Sequence, residues 1–438
     1  MFGESARTVF GIDTTQPGSV LYMLLLALLV SISITTGTWD LGNSRIVMFH
    51  ELVFVIACVI AMGAKPFLAL IRAKPVVSVL LAGWLFSITL SLWFSPYNLA
   101  HISIGRARYY ETILHIFFFL SLLVYLRIYQ PPLRFVFYVL LLSNAFVVIQ
   151  AISIWHFSPE VGVHTSSAWF SRFPFVGHAR HAGYNMLVAV LAGVFLLLSE
   201  SQLRLRVLIG APFFFVTACL FWLGGRGSML SVLVALSIVF AWGRRAGIGD
   251  RRLVAITLSV VLLALVAAHL AAQFGWNGVW NSIGRSVAAE SANKLSSGRL
   301  TIWLYSLDAI RNDWLLGVGP QGYLFIPGKW RSTAMPHNAI VQFLVEWGVL
   351  GTVLFLSFFL HGLKQVFVRL RDATLALNAE VLGGMTIVVA LAFHGLTDGT
   401  FYHGKASFYM ALCFALCAGG AITNAKCDKN CQLVSVSG

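Results

Sequence analysis

Charge is the scarcest feature of this sequence: Asp, Glu, Lys and Arg together make up only 11% of its 438 residues, with 16 acids against 30 bases. So little polar material cannot cover a soluble core of this size, which excludes an ordinary globular enzyme or binding module. A signal peptide reads poorly as well. The first apolar run, Val20 to Thr35, is preceded by one basic residue, Arg7, and no small-residue cleavage site follows it, so it is read as a retained span. Cysteine is sparse. Cys58, Cys219, Cys413 and Cys417 fall in apolar runs and Cys427 and Cys431 in the tail, so none is placed for an extracytoplasmic disulfide, and a lone tail pair is thin ground for a metal site. No internal repeat of the kind many transporters carry is visible.

What is abundant is apolar sequence, 58% of the chain. Runs long enough to cross ~30 Å of hydrocarbon as helices recur along it, and only helices or closed barrels satisfy their backbone there. The pattern predicts spans near 18–37, 46–63, 76–94, 111–128, 133–155, 182–199, 207–223, 228–243, 253–274, 337–361, 381–396 and 406–424. The expected architecture is therefore all-α and polytopic, with about twelve transmembrane helices. It divides into helices 1–9 over residues 1–274, a long external loop over 275–336, helices 10–12 over 337–424, and a tail over 425–438.

A net charge of +14 raises nucleic acid or anionic lipid as partners, and its distribution favours lipid over nucleic acid. Most Lys and Arg sit in alternate loops, among them Lys65, Arg72 and Lys74, Arg204 and Arg206, and Arg244, Arg245, Arg251 and Arg252. By the positive-inside rule those loops and both termini are cytoplasmic. Arg45, Arg106, Arg108, Arg172, Arg180, Arg226 and Lys405 then occupy short external loops, where an anionic ligand would explain them. Inside the long loop, Leu300, Trp303, Leu304, Leu307, Ile310 and Trp314 predict an amphipathic helix whose other face carries Asp308, Arg311 and Asp313.

Several short segments carry chemistry at the external ends of these spans. Leu223-Gly224-Gly225-Arg226-Gly227-Ser228 closes a turn before a helix, a place where backbone N–H groups and the helix dipole favour a phosphate; a tight turn with Ser228 as cap is the plainer reading. Gly177-His178-Ala179-Arg180-His181 sets a cation and two imidazoles at another helix start, and the three-residue spacing without a nearby carboxylate or thiolate cluster is a poor metal site. Ser297-Gly298-Arg299 opens the amphipathic helix, and Gly317-Val318-Gly319-Pro320 turns the chain after it. In Met335-Pro336-His337-Asn338, His337 stands at the water boundary, where a neutral imidazole accepts a proton near neutral pH. Glu346 lies deeper in the same helix and needs a partner or a cavity. Asp398 is either a turn residue or a carboxylate orienting an arginine or histidine.

Taken as an ordered set, Gly225-Arg226-Gly227-Ser228, Ser297-Gly298-Arg299 with Trp303, Gly317-Val318-Gly319-Pro320, and His337-Asn338 with Glu346-Trp347-Gly348 and Gly351 resemble the O-antigen ligase and polymerase superfamily. The resemblance covers about Arg180 to Asp398. It implies a glycosyltransferase of lipopolysaccharide biosynthesis in the Gram-negative inner membrane, working at the periplasmic face without metal or other cofactor. The donor would be a glycan linked to undecaprenyl pyrophosphate and the acceptor lipid A-core oligosaccharide. Arg226 and Arg299 would be the essential arginines that bind the pyrophosphate, and His337 the base. Arg180 and Asp398, with His181, Ser228 and Asn338 beside them, are the substrate-binding candidates. Direct displacement would invert the anomeric carbon. The superfamily's polymerases and protein O-oligosaccharyltransferases differ in acceptor. A lipid-linked glycan transporter would instead place ionisable groups near mid-membrane, where here Glu346 is the main exception. Monomer and homodimer both remain open.

Overall fold

The computed structural model describes residues 8–9, 12–13, 16–35, 42–158, 165–171, 173–174, 176–243, 251–327, 333–371 and 379–423. Its helices are α1 Pro17–Ile34, α2 Gly42–Met62, α3 Lys65–Ala73, α4 Pro75–Trp93, α5 Asn98–Tyr129, α6 Arg134–Phe157, α7 Ser166–Ser171, α8 Ala179–Ser199, α9 Leu203–Leu223 and α10 Arg226–Trp242. They continue as α11 Arg251–Leu270, α12 Val279–Val287, α13 Ala292–Leu295, α14 Arg299–Asn312, α15 Ala339–Arg371, α16 Ala379–Thr397 and α17 Gly404–Thr423. One two-residue antiparallel pairing, Thr8–Val9 with Ile12–Asp13, precedes them.

Among the described residues ten helices are long and apolar enough to cross a bilayer, and Arg226–Trp242 and Gly404–Gly419 are shorter apolar helices. Together they match the twelve runs read from the sequence, and the chain is an all-helical multi-pass membrane protein. The outward faces are apolar, with Ile60, Val79, Phe86, Leu258 and Leu262 well exposed, as a hydrocarbon solvent allows.

α8 is the hub. Apolar all round, it is buried along nearly its whole length and packs against α6, α9 and α16. Small residues set the approach distances: a Cβ on Gly193 would meet the Phe213 ring at 2.5 Å, and one on Gly383 the Phe195 ring at 2.9 Å. The helix ends are tied pairwise. Lys405 Nζ donates to Thr35 O at 2.8 Å, joining the start of α17 to the end of α1, while Tyr125 OH donates to Gly18 O at 2.9 Å at the opposite end.

The segment between α11 and α15 is largely structured. α12 turns Ser282 and Ser286 inward and leaves Trp280, Ile283 and Val287 exposed, so it is an amphipathic helix. α14 departs from the stripe read in the sequence. It packs through Ile302, Trp303, Ala309 and Ile310 against Val318, Tyr323 and Val345, and leaves Leu304, Leu307 and Trp314 exposed. Two contacts set that rotation: the Trp303 indole donates to Pro336 O at 2.9 Å, and Arg299 at the helix start reaches α16.

α15 is broken. Gly348 adopts φ 64°, ψ −173°, and Trp314 to Gly319 insert at the break. Val349 N donates to Trp314 O (2.8 Å) and Leu350 N to Leu315 O (3.2 Å), while Val345 O and Glu346 O accept from Val318 N (2.8 Å) and Gly319 N (3.0 Å). Ser91 of α4 adds a hydrogen bond of 2.7 Å to Glu346 O. The loop thus supplies the partners that a continuous helix would have supplied itself. Both Gly317 and Gly348 have positive φ, and a Cβ on Gly348 would lie 2.2 Å from Leu315 O. The two glycine motifs are halves of one joint.

Candidate functional site

The bundle end that carries the long loop gathers the start of α8, the start of α10, the start of α14, the segment leading into α15 and the turn after α16. Asn338 caps α15: its Oδ1 accepts from Ile340 N (2.9 Å) and Val341 N (3.1 Å), and its Nδ2 donates to Leu396 O (2.9 Å). The cap locks the preceding residue, His337, at φ 54°, a left-handed conformation that a non-glycine residue adopts only when its surroundings impose it.

In that pose His337 Nδ1 lies 2.8 Å from Asp398 Oδ1. Asp398 also accepts from Gly399 N at 2.8 Å and stands 3.4 Å from the Arg299 guanidinium, which in turn donates to Thr397 O. Burial opposes the charge on Asp398, yet the His337 hydrogen bond and the Arg299 guanidinium hold its carboxyl well below the usual carboxylate range. An ionised Asp398 accepts only, so Nδ1 of His337 carries the hydrogen of that contact, and Nε2 is the ring nitrogen Asp398 does not engage.

Positive charge surrounds this pair. Burial loosens the proton on Arg299, Asp398 opposes that, and Arg180 and Arg226 add repulsion. Arg226 donates to Ser286 Oγ (2.9 Å) and Ser297 Oγ (3.0 Å), which aims it across the loop. Arg285, pushed down by burial and by Arg226, joins the group from α12. Arg180 lies 5.8 Å over the Phe170 ring. One carboxylate does not neutralise four guanidinium groups, so the arrangement favours a multiply charged anion with oxygens for bidentate contacts.

The other sequence candidates turn their side chains to protein partners. His181 is buried, its ring centroid 3.8 Å from that of His403. Ser228 Oγ meets His394 Nε2 at 3.0 Å. His394 itself went unnoticed in the sequence, because nothing in an apolar helix signals that it bridges Ser228 on α10 and, through Nδ1 at 2.6 Å, Thr400 Oγ1. It joins the Arg226 turn to the Asp398 turn. His178 caps α8 by accepting from Arg180 N at 3.0 Å; burial, then the neighbouring His181 and Arg180, lower its pKa to about 3, so its imidazole is neutral. Among the described residues no three His, Cys, Asp or Glu side chains converge to hold a metal ion. Arg172, Lys329, Arg331, Arg244, Arg245 and the tail with Cys427 and Cys431 lie outside the described residues.

Comparison with known proteins places a family on this geometry. Residues 211–356 match the family model described as O-antigen ligase, a stretch that includes Arg226, Arg299, His337 and both halves of the glycine joint. No curated protein matches the chain.

Proposed function

We propose, from the match of residues 211–356 to the O-antigen ligase family model, that this protein is an O-antigen ligase. It transfers a glycan from undecaprenyl pyrophosphate to a hydroxyl of lipid A-core at the periplasmic face of the inner membrane, with both termini cytoplasmic. The observation that carries this reading is the contact of His337 with an ionised Asp398 inside a ring of arginines.

In the transfer, His337 Nε2 takes the proton from the acceptor hydroxyl, and the resulting oxygen attacks the anomeric carbon. The bond from that carbon to the diphosphate oxygen breaks, and undecaprenyl pyrophosphate leaves with the electron pair. Arg226, Arg299 and Arg180 meet the charge that collects on the diphosphate, which is worth most where water is excluded. Asp398 holds the imidazole in the receptive tautomer and offsets the positive charge it gains. A single displacement inverts the sugar. Asn338, His394 and Ser228 hold these groups in register.

Purified protein in detergent with EDTA, lipid-linked glycan and lipid A-core tests the proposal through the gel mobility of the lipopolysaccharide. Capping of lipid A-core that is lost in His337→Ala and Arg226→Ala is the expected result. Longer lipid-linked chains with lipid A-core unchanged would make the protein a polymerase, and movement of the glycan without transfer would make it a transporter.

A further inference from the structure

A second set of polar side chains lies within the membrane, away from the arginine ring. Arg108, Glu111 and His115 follow one another at i, i+3 and i+7 down one face of α5, a descent of about 10 Å. Arg108 donates to Gln321 Oε1 (2.9 Å) and pairs with Glu111, and His115 Nδ1 lies 2.6 Å from Glu51 Oε1. Facing them from α15, Gln342 Nε2 lies 3.5 Å from Glu346 Oε1. Arg108, Glu111, His115, Gln342 and Glu346 border a cavity of about 440 Å³ between α4, α5, α15, α16 and α17. Its other end is hydrocarbon-like, walled by Phe355, Phe359 and Phe414, and opens past Leu360, which is 57% exposed.

The polar end is incompletely satisfied. Among the described residues, Gln342 Oε1 and Trp84 Nε1 are buried without a hydrogen-bond partner, and Glu111 Oε1 and His115 Nε2, likewise without a hydrogen bond, stand 3.8 Å apart as a loose ion pair. Glu111, Gln342 and Trp84 are each less than 5% exposed. An orphan buried polar atom costs about 1–3 kcal/mol, so the Gln342 and Trp84 atoms, beside a Glu111–His115 pair too wide for a hydrogen bond, point to a ligand. Two of the atoms are acceptors and the indole is a donor. A hydroxyl answers both kinds. A phosphate offers nothing to the acceptors; the one guanidinium lining the cavity, Arg108, is already engaged by Glu111 and Gln321, and the carboxylates of Glu111 and Glu346 oppose an anion. Aromatic rings of Trp84, Phe343 and Trp347, with centroids 4.3–5.4 Å apart, supply flat faces beside these groups.

We infer that this cavity binds a lipid with an uncharged, hydroxyl-bearing sugar head, its chain lying along the phenylalanine wall. Ala339 and Ile340, next in sequence to His337-Asn338, line the same cavity. Resting on the transferase reading above, this puts a site for an uncharged glycolipid next to, and separate from, the arginine ring that takes the diphosphate.

Native mass spectrometry of the full chain, released from a zwitterionic detergent with equimolar monoglucosyl diacylglycerol, phosphatidylglycerol and undecaprenyl phosphate, reads this directly. The glucosyl lipid is expected to be retained in preference to both anionic lipids. That preference should fall by roughly five-fold or more in Gln342→Leu, which removes an orphan acceptor. Ala411→Trp fills the cavity from α17 and should abolish it, with thermal unfolding confirming that each variant is folded. Equal or better retention of either anionic lipid would overturn the inference, as would no retention of any lipid, which leaves the cavity to water. Because binding is read without turnover, the two proposals fail separately. A glycolipid preference in a protein that transfers nothing would sink the ligase reading alone, and transfer without that preference would sink this one alone.

Discussion

Nδ1 of His337 lies 2.8 Å from Oδ1 of Asp398, across 61 residues of chain, and the carboxylate that orients the imidazole is also the counter-ion of Arg299. In the proposed transfer, one side chain thereby couples the base assigned to His337 to an arginine assigned to the leaving diphosphate.

Asp398→Asn tests that coupling. An amide no longer compels Nδ1 to carry the hydrogen, and Arg299 loses its counter-charge. Turnover is expected to fall about a hundred- to ten-thousand-fold, the usual worth of positioned proton transfer. Initial rates at saturating donor check it, and an unchanged rate would remove Asp398 from the reaction.

The helix joint makes a prediction about stability. Gly348→Ala and Gly317→Ala each demand a Cβ at positive φ and press it to within 2.5 Å of backbone. Each should cost well over about 1 kcal/mol, seen as a lower melting temperature or loss of the monodisperse peak in gel filtration. Gly284→Ala in α12 is the control, since its Cβ would meet nothing within 4 Å; it should melt at or slightly above the wild-type temperature.

His178 predicts a pH dependence. Its folded pKa, near 3, lies below the ordinary histidine value of 6.5, so between the two the unfolded chain binds the extra proton. Its contribution to stability is complete above about pH 6.5 and is lost as pH falls from there toward 3. Melting temperature measured from pH 7 to pH 4 should decline less steeply in His178→Asn than in wild type. An unchanged slope would mean that the imidazole is not buried neutral.

Hydropathy runs are local, so the twelve apolar helices were legible from the sequence, and so was the order of the arginine, glycine and histidine motifs. Partnerships were not. Ser228 and His394 meet across 166 residues, and no periodicity announces such a pair. The rotation of α14 escaped for a related reason: Leu304 and Leu307 fit the apolar stripe as well as Ile302 and Ile310 do, and only the anchors at Arg299 and Trp303 choose between them. Glu346 was legible as an acid needing a partner or a cavity, and it has Gln342 Nε2 at 3.5 Å and a cavity beside it.

The break at Gly348 also constrains how the protein is made. Two N–H groups and two carbonyls on either side of it find their partners in Trp314 to Gly319, a segment that precedes α15 in the chain yet is not part of any span. Until that segment folds back, nothing holds the break open, and α15 can satisfy these groups itself as a continuous helix through Gly348. The helix that positions His337 therefore takes its broken form only once the loop has docked, so assembly of the site follows that docking and cannot run ahead of it.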